Sequence, residues 1–235
     1  MIDFHSHILP GMDDGSRDVT ESLEMLRAAS EQGVDVICST SHYYARRESP
    51  DSFLKRRASA IEKLERELAG NKSPRILYGA EVQYFEGICN AEHIEALRLE
   101  GTEVFLLEMP FFRWTARMSD DVLRLNREPG TTVMLAHMER YLPYGNADAM
   151  SDLHDEGVIL QSNASFFIRW GTKRKALKML RDGLIDVIGS DCHNTTSRRQ
   201  NIAEAWNIIK KKYGAAEVER IDRIGRMLTG TDDDK

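Results

Sequence analysis

The chain has 235 residues, 41% hydrophobic and 30% charged, with a formal net charge of -6. It is long enough to bury a full core without disulfide staples, and its acidic balance excludes a general nucleic-acid binder, which needs a positive field. No run approaches the roughly 18 apolar residues of a membrane span, residues 1–5 carry neither a basic nor an apolar signal region, and the odd, sparse set Cys38, Cys89 and Cys192 suits reduced thiols in a cytoplasmic protein.

Short apolar strands alternate with amphipathic helices along the chain. Strands are expected over 2–5, 34–40, 75–81, 104–108, 132–137, 158–161 and 185–189, each rich in Val, Ile and Leu and bounded by polar residues or glycine, as strands buried on both faces should be. Helices are expected over 18–32, stopped by Gly33, over 50–69, stopped by Gly70 and Asn71, and over 91–99, 117–127, 147–155, 173–182, 197–213 and 215–228. Strand followed by helix, repeated seven times, predicts an α/β fold with a parallel sheet. With no Rossmann glycine fingerprint, a closed or distorted barrel is favoured over an open sheet. No Pro/Gly/Ser-rich linker interrupts the pattern, so one domain is expected.

Barrels of this kind place their chemistry at the C-terminal ends of the strands. There the sequence sets His5 and His7, then His42, Glu81, Glu108, His137, Asn163, and finally Asp191 and His193. A lone histidine at a strand end is more often hydrogen-bonded or solvated than a ligand. A carboxylate after an apolar run is rarely buried without a partner or a metal. His5 and His7 are separated by one residue, so on an extended segment both imidazoles face one ion; Asp191 and His193 repeat that spacing. The mixed N/O set fits borderline-hard ions rather than a sulfur site. Its size implies two or three ions, with a carboxylate such as Glu81 bridging two. His93 and His154 fall in charged helical segments and read as surface residues.

These blocks resemble a known family. The stretch Asp3-Phe4-His5-Ser6-His7-Ile8-Leu9-Pro10-Gly11-Met12-Asp13-Asp14-Gly15 resembles the opening motif of the polymerase and histidinol phosphatase (PHP) superfamily. More narrowly, it is similar to the manganese-dependent protein tyrosine phosphatases of bacterial capsule and exopolysaccharide operons. The likeness continues at Thr40-Ser41-His42, Gly79-Ala80-Glu81, Ala136-His137-Met138-Glu139-Arg140-Tyr141, Gln161-Ser162-Asn163-Ala164 and Gly189-Ser190-Asp191-Cys192-His193. It spans residues 1–230 as one PHP metallophosphatase domain and leaves 231–235 as a polar, disordered tail. It implies a distorted, TIM-like (β/α)7 barrel holding three ions, manganese foremost, with iron, zinc, cobalt or magnesium as alternatives. By position, His5, His7, Glu81 and Asp191 would hold one ion, Glu81, Glu108 and His137 a second, and Asp14, His42 and His193 a third. Arg140 and Arg198 match family arginines that bind phosphate. Ser41 and Met138 stand where the family often has proline, and Tyr43 where a second histidine often follows His42.

The chemistry expected is hydrolysis of phosphotyrosine by a metal-bound hydroxide, with the arginines on the phosphoryl oxygens. The implied partner is the tyrosine-rich tail of a bacterial tyrosine kinase. The segments 43–52, with Arg46 and Arg47, and 111–115, with Phe111, Phe112 and Trp114, are expected beside the mouth, either gripping substrate or packing among themselves. The alternatives are a phosphatase of a small metabolite such as histidinol phosphate, and a metal-binding assembly subunit without turnover. Cys192 and Arg198 also spell C-x5-R, the spacing of thiol-based phosphatases. The intervening residues contain no glycine, and a thiol mechanism would leave the ring of strand-end ligands unexplained.

Overall fold

Seven strands, β1 (Ile2–Ser6), β2 (Val36–Tyr43), β3 (Arg75–Gln83), β4 (Val104–Glu108), β5 (Thr132–Leu135), β6 (Ile159–Asn163) and β7 (Val187–Gly189), pair in parallel and in chain order in the computed structural model, which describes residues 1–70 and 72–231. Beyond β7 the sheet meets its own beginning: Asp191 N–H donates to His5 O at 2.7 Å and His7 N–H to Cys192 O at 2.8 Å. The result is a nearly closed seven-stranded α/β barrel, as the alternation of elements implies. Asn71 and residues 232–235 lie outside the described residues, and with them the expected stop at Asn71 and most of the expected polar tail.

Among the described residues eight helices accompany the strands: α1 (Val19–Glu31), α2 (Pro50–Leu68), α3 (Ala116–Asn126), α4 (Ala147–Asp155), α5 (Ala164–Ile168), α6 (Lys173–Arg181), α7 (Ile202–Tyr213) and α8 (Ala215–Thr229). Local chemistry sets their starts. Asp18 caps α1 by accepting from Glu21 N–H, Ser49 caps α2 ahead of Pro50, and Thr115 caps α3 by accepting from Met118 N–H.

Two expected helices differ. Residues 91–99 hold only the 3-10 turn Ile94–Leu97, preceded by another at Ile88–Asn90, because the chain passes through a left-handed residue at His93 and only Ile94, Leu97 and Leu99 of that stretch are buried. The helix expected from 197 starts at Ile202. Upstream, side chains take the backbone donors: Asn194 Oδ1 accepts from Thr196 and Arg198 N–H, and Gln200 Oε1 from Asn201 and Ile202 N–H. The short α5 and the 3-10 segment Met138–Tyr144 were not expected; each is too brief to show a period.

Alternation along the strands builds the barrel interior. On β2 the inward column runs Val36, Cys38, Thr40, His42; on β3 Leu77, Gly79, Glu81; on β4 Val104, Leu106, Glu108. The lower members, with Ile2, Phe4, Met134 and Val187, form an apolar floor inside the barrel, and the upper members are polar. The opposite faces, including Ile37, Val82, Phe105, Leu107, Val133, Leu135, Leu160 and Ile188, pack into a larger core beneath the helices. Period two and burial on both faces thus put a polar crown on an apolar plug.

His93 is exposed, as expected, but His154 is half-buried: its Nε2 lies 3.2 Å from Asp186, which also accepts from Leu160 N–H at 2.8 Å. The bond to Asp186 raises the His154 pKa above its ordinary value. Stability from this pair is therefore fully present below about pH 6.5, where the unfolded imidazole is protonated, and is lost as pH rises through the raised folded value. We expect His154→Gln to cost about 0.5–1 kcal/mol at pH 5.5 and less at pH 8.5, read as the gap between the two proteins' urea midpoints; a gap that grows with pH would contradict the assignment.

Candidate metal centre

The polar crown converges on Glu81, at the end of β3 and 1% exposed. Its Oε2 lies 3.2 Å from His5 Nε2, 3.4 Å from His7 Nε2 and 2.9 Å from His42 Nδ1, and its Oε1 lies 2.8 Å from His137 Nε2. Burial alone would raise this carboxyl; the charge of His5 and the close imidazoles of His137, His42 and His5 outweigh it and hold it well below the usual carboxylate range. Glu108 reaches His137 Nε2 at 3.5 Å. Asp191 Oδ1 is 3.7 Å from both His5 and His7 and 3.5 Å from His193 Nδ1. Asp14 Oδ1 stands 3.4 Å from both His42 Nε2 and His193 Nε2.

All nine side chains singled out from the sequence as metal ligands are therefore brought together. Ligand atoms within 4.8 Å of one another come from His5, His7 and Glu81, from His42, Glu81 and Glu108, and from His7, Asp14, His42 and His193. His7 and His42 each enter two groups, so the clusters share ligands more than the resemblance implies. The donor chemistry fits cations. His5 and His7 direct Nε2 atoms at each other across 3.1 Å, and the buried His42 Nδ1, Glu81 Oε2 and His193 Nε2 have no hydrogen-bond partner among the described residues. Buried polar atoms are normally satisfied, and a divalent ion satisfies converging imidazole and carboxylate lone pairs at once.

A further layer fixes the ligands, and most of it was missed in the sequence. Asp13 accepts from His7 Nδ1 at 2.8 Å, from the His42 backbone N–H at 2.8 Å and from Gly15 N–H at 3.0 Å. Gln161 Oε1 lies 3.3 Å from His5 Nδ1 and accepts His137 N–H at 2.7 Å. Asn163 Nδ2 donates to Asp191 Oδ2 at 2.9 Å. Asp3 ties the two ends of the barrel, accepting from Ser190 N–H at 2.7 Å, Ser190 Oγ at 2.6 Å and Gln200 Nε2 at 2.7 Å. Such partners set the tautomer and aim of a ligating ring. The signal for Asp13 was its place in Asp13-Asp14-Gly15.

Backbone geometry also aims the ligands. His137 and Asp191 sit at φ 35° and 54°, a left-handed conformation that costs about 1–3 kcal/mol at a non-glycine residue. There the chain leaves β5 and β7 abruptly and the side chains turn inward. A Cβ at Gly15 would lie 2.3 Å from His7 O and 2.4 Å from His7 Cβ. Gly15→Ala must therefore shift the His7 loop, and about 1 Å of misplacement costs a reaction about 10²-fold. We expect a loss of that order in turnover with reduced metal content; wild-type values for both would refute the coupling.

Arg140 donates to Asp191 Oδ2, and Arg198 donates to Asp191 Oδ1 at 2.9 Å and to Asp14 Oδ2 at 3.4 Å. Both keep more than a third of their surface open, at 39% and 38%. They line one cleft of about 240 Å³ with Asn163, Ser190 and Asp191. Cys192, the rival nucleophile, is 2% exposed, its Sγ donates to Asn194 O, and burial pushes its thiol well above the ordinary range. A neutral, enclosed thiol is a poor nucleophile.

The aromatic loops divide. Trp114 is buried against Tyr141, 5.0 Å between centroids, and belongs to its loop's own core, whereas Phe111 and Phe112 are 41% and 53% exposed. Phe111 stacks 6.0 Å from His137, and Tyr44 stacks 5.4 Å from His42 beneath Arg47.

A family model described as capsular polysaccharide synthesis, CpsB/CapC, matches residues 1–225. Tyrosine-protein phosphatase CpsB of Streptococcus pneumoniae is 32% identical over 94% of this chain and 94% of its own length. Tyrosine-protein phosphatase YwqE of Bacillus subtilis (strain 168) is 30% identical over 92% of this chain and 86% of its own. A crystal structure from the pair YwqE of B. subtilis and CpsB of S. pneumoniae, described as unique metal-dependent tyrosine phosphatases, aligns with TM-score 0.84 at 26% identity, covering 99% of this chain and 96% of that one. Histidinol phosphate phosphatase of Lactococcus lactis shares the fold at TM-score 0.58 and 14% identity, over 90% of this chain and 93% of that one. Barrel, polar crown and full-length match agree: this chain belongs to the CpsB/CapC family.

Proposed function

We propose that this chain is a metal-dependent protein-tyrosine phosphatase, working with manganese on the phosphotyrosine tail of a bacterial tyrosine kinase of capsule or exopolysaccharide synthesis. The observation that carries it is Glu81, one buried carboxylate within 3.4 Å of four imidazoles, beside a cleft holding two partly open guanidiniums. His5, His7, Glu81 and Asp191 would hold one ion, Glu81, Glu108 and His137 a second, and Asp14, His42 and His193 a third. Divalent ions there supply charge for the phosphoryl group and an activated water.

The chain's own groups do the rest. Arg140 and Arg198, held on Asp191 and Asp14, offer their remaining N–H donors to the phosphoryl oxygens. Phe111 and Tyr44, packed on site histidines, give the phenyl ring apolar faces. A phenolate leaves without strong acid help, because tyrosine ionises near pH 10. No helix among the described residues is long and apolar enough to cross a membrane. Three free cysteines suit a reducing compartment, and we place the protein in the cytoplasm.

The test is hydrolysis of p-nitrophenyl phosphate, a phosphotyrosine peptide and histidinol phosphate by chelator-stripped protein, with and without added Mn, beside Cys192→Ser and His5→Ala. We expect turnover of the aryl esters that requires metal, survives Cys192→Ser and collapses in His5→Ala. Activity that ignores chelation but dies with Cys192→Ser would replace this reading with the thiol one. Preference for histidinol phosphate would move the substrate to a metabolite, and no turnover on any ester would leave a metal-binding assembly subunit.

A further inference from the structure

The arginine cleft does not end at the metal centre. Arg169 and Arg199 also line it, and Arg199 is held by Glu204 at 2.7 Å. Trp170, the residue after Arg169, is 96% exposed, and an open indole offers a partner a large apolar face with a polar N–H. Trp170 in turn borders a second hollow, of about 580 Å³, lined by Lys173, Arg174, Leu177, Lys212 and Tyr213 among others. Arg169 and Trp170, adjacent in sequence, thus join the cleft to the hollow.

Four of the charges along this path lack counter-ions. Lys178 and Arg181 are paired with Asp182, but among the described residues Arg169, Lys173, Arg174 and Lys212 make no side-chain hydrogen bond or ion pair. Lys173, Arg174 and Lys175 crowd the first turn of α6, which carries no acidic residue. A helix dipole disfavours cations there. Local rules are broken in this way mostly where function asks for it. The whole chain is acidic, at -6, so an acidic partner is repelled elsewhere and steered to this surface.

We propose that the path from the arginine cleft, across Trp170, to the first turn of α6 and Lys212 is the docking track for an acidic segment flanking the phosphotyrosine on its polypeptide, with Trp170 packing against an apolar or aromatic side chain of that segment. This rests on the phosphotyrosine reading of the metal centre. The track begins in the phosphate cleft, so a peptide anchored there by its phosphoryl group reaches it without leaving the surface. A concave path with one exposed aromatic suits an extended chain better than a lipid bilayer, which several protruding apolar side chains would grip.

The experiment uses the metal-loaded full chain. Wild type is compared with the double variant Lys173→Glu/Arg174→Glu and with Trp170→Ala on p-nitrophenyl phosphate and on phosphotyrosine peptides with acidic or neutral flanks. We expect wild type to favour the acidic peptide and the charge variant to lose roughly tenfold in kcat/KM on it alone. Trp170→Ala should raise KM with kcat kept, and the small ester should be unaffected throughout. Binding of a fluorescent, unphosphorylated acidic peptide, read by anisotropy, is measured in parallel. If no aryl ester is hydrolysed but the acidic peptide binds wild type and not the charge variant, the catalytic reading fails and the track stands. Equal kcat/KM of wild type for acidic and neutral peptides, or variants that match wild type on both, would overturn the track. Binding of wild type to anionic phosphatidylserine vesicles that the variants lose, with peptide kinetics unchanged, would assign the surface to a membrane instead.

Discussion

Glu81→Gln is expected to lower turnover of p-nitrophenyl phosphate on the order of 10³-fold, the upper range for removing one well-placed electrostatic group. The substitution keeps shape and volume and removes the charge that four imidazoles surround. An amide oxygen is a weak cation ligand, and an amide nitrogen turned to the centre repels one. Because Glu81 belongs to two ligand groups that also include His5, His7, His42 and Glu108, its loss should lower metal content by more than one ion per chain in elemental analysis. Restoring metal by excess Mn should recover little activity. A variant with full metal content and activity within tenfold of wild type would remove Glu81 from the ligands shared by the two groups. The neighbouring Glu108, which enters one group, gives the comparison: Glu108→Gln should cost less metal and respond more to added Mn.

The ring of ligands was legible because parallel strands buried on both faces leave few places for a polar residue. Once β3 reads as an apolar run, a carboxylate at its end stands out, and alternation puts Glu81 on the face of Leu77 and Gly79. The same holds for Glu108 above Val104 and Leu106. What sequence could not give was the last step of the backbone. The left-handed turns at His137 and Asp191 come from closure of the barrel and the fit of the loops, not from any local preference. The assignment of Asp14 rather than Asp13 as the ligand came from the family resemblance, not from the local pattern. Two identical side chains stand side by side; one is buried as a brace for His7 and the other faces His42 and His193. Local side-chain competition explains the misplaced start of α7, where Asn194 and Gln200 take up donors that a helix would have used. His154 was misread for a related reason: its partner Asp186 lies on a separate element, and only the folded chain brings them together.

Arg140→Ala and Arg198→Ala are each expected to lower kcat on aryl phosphates about 10²-fold, and the double variant by less than the product of the two. The reason for the shortfall lies in Asp191, whose two oxygens accept from the two guanidiniums, one each; residues sharing a partner do not act independently. Lysine should rescue Arg198 only in part, because Arg198 spans Asp191 and Asp14 with different nitrogens and an ammonium has no such fork. Two measurements separate contact with phosphate from support of the metal centre. If the arginines bind the phosphoryl group, inhibition by inorganic phosphate weakens in parallel with kcat/KM while metal content stays at the wild-type level. If they act only by holding Asp191, metal content falls and phosphate inhibition of the remaining metal-loaded fraction is unchanged. The place of both side chains in the cleft lining, each more than a third exposed, argues for the first outcome, since groups serving only to brace a buried carboxylate have no need of a face toward the cleft.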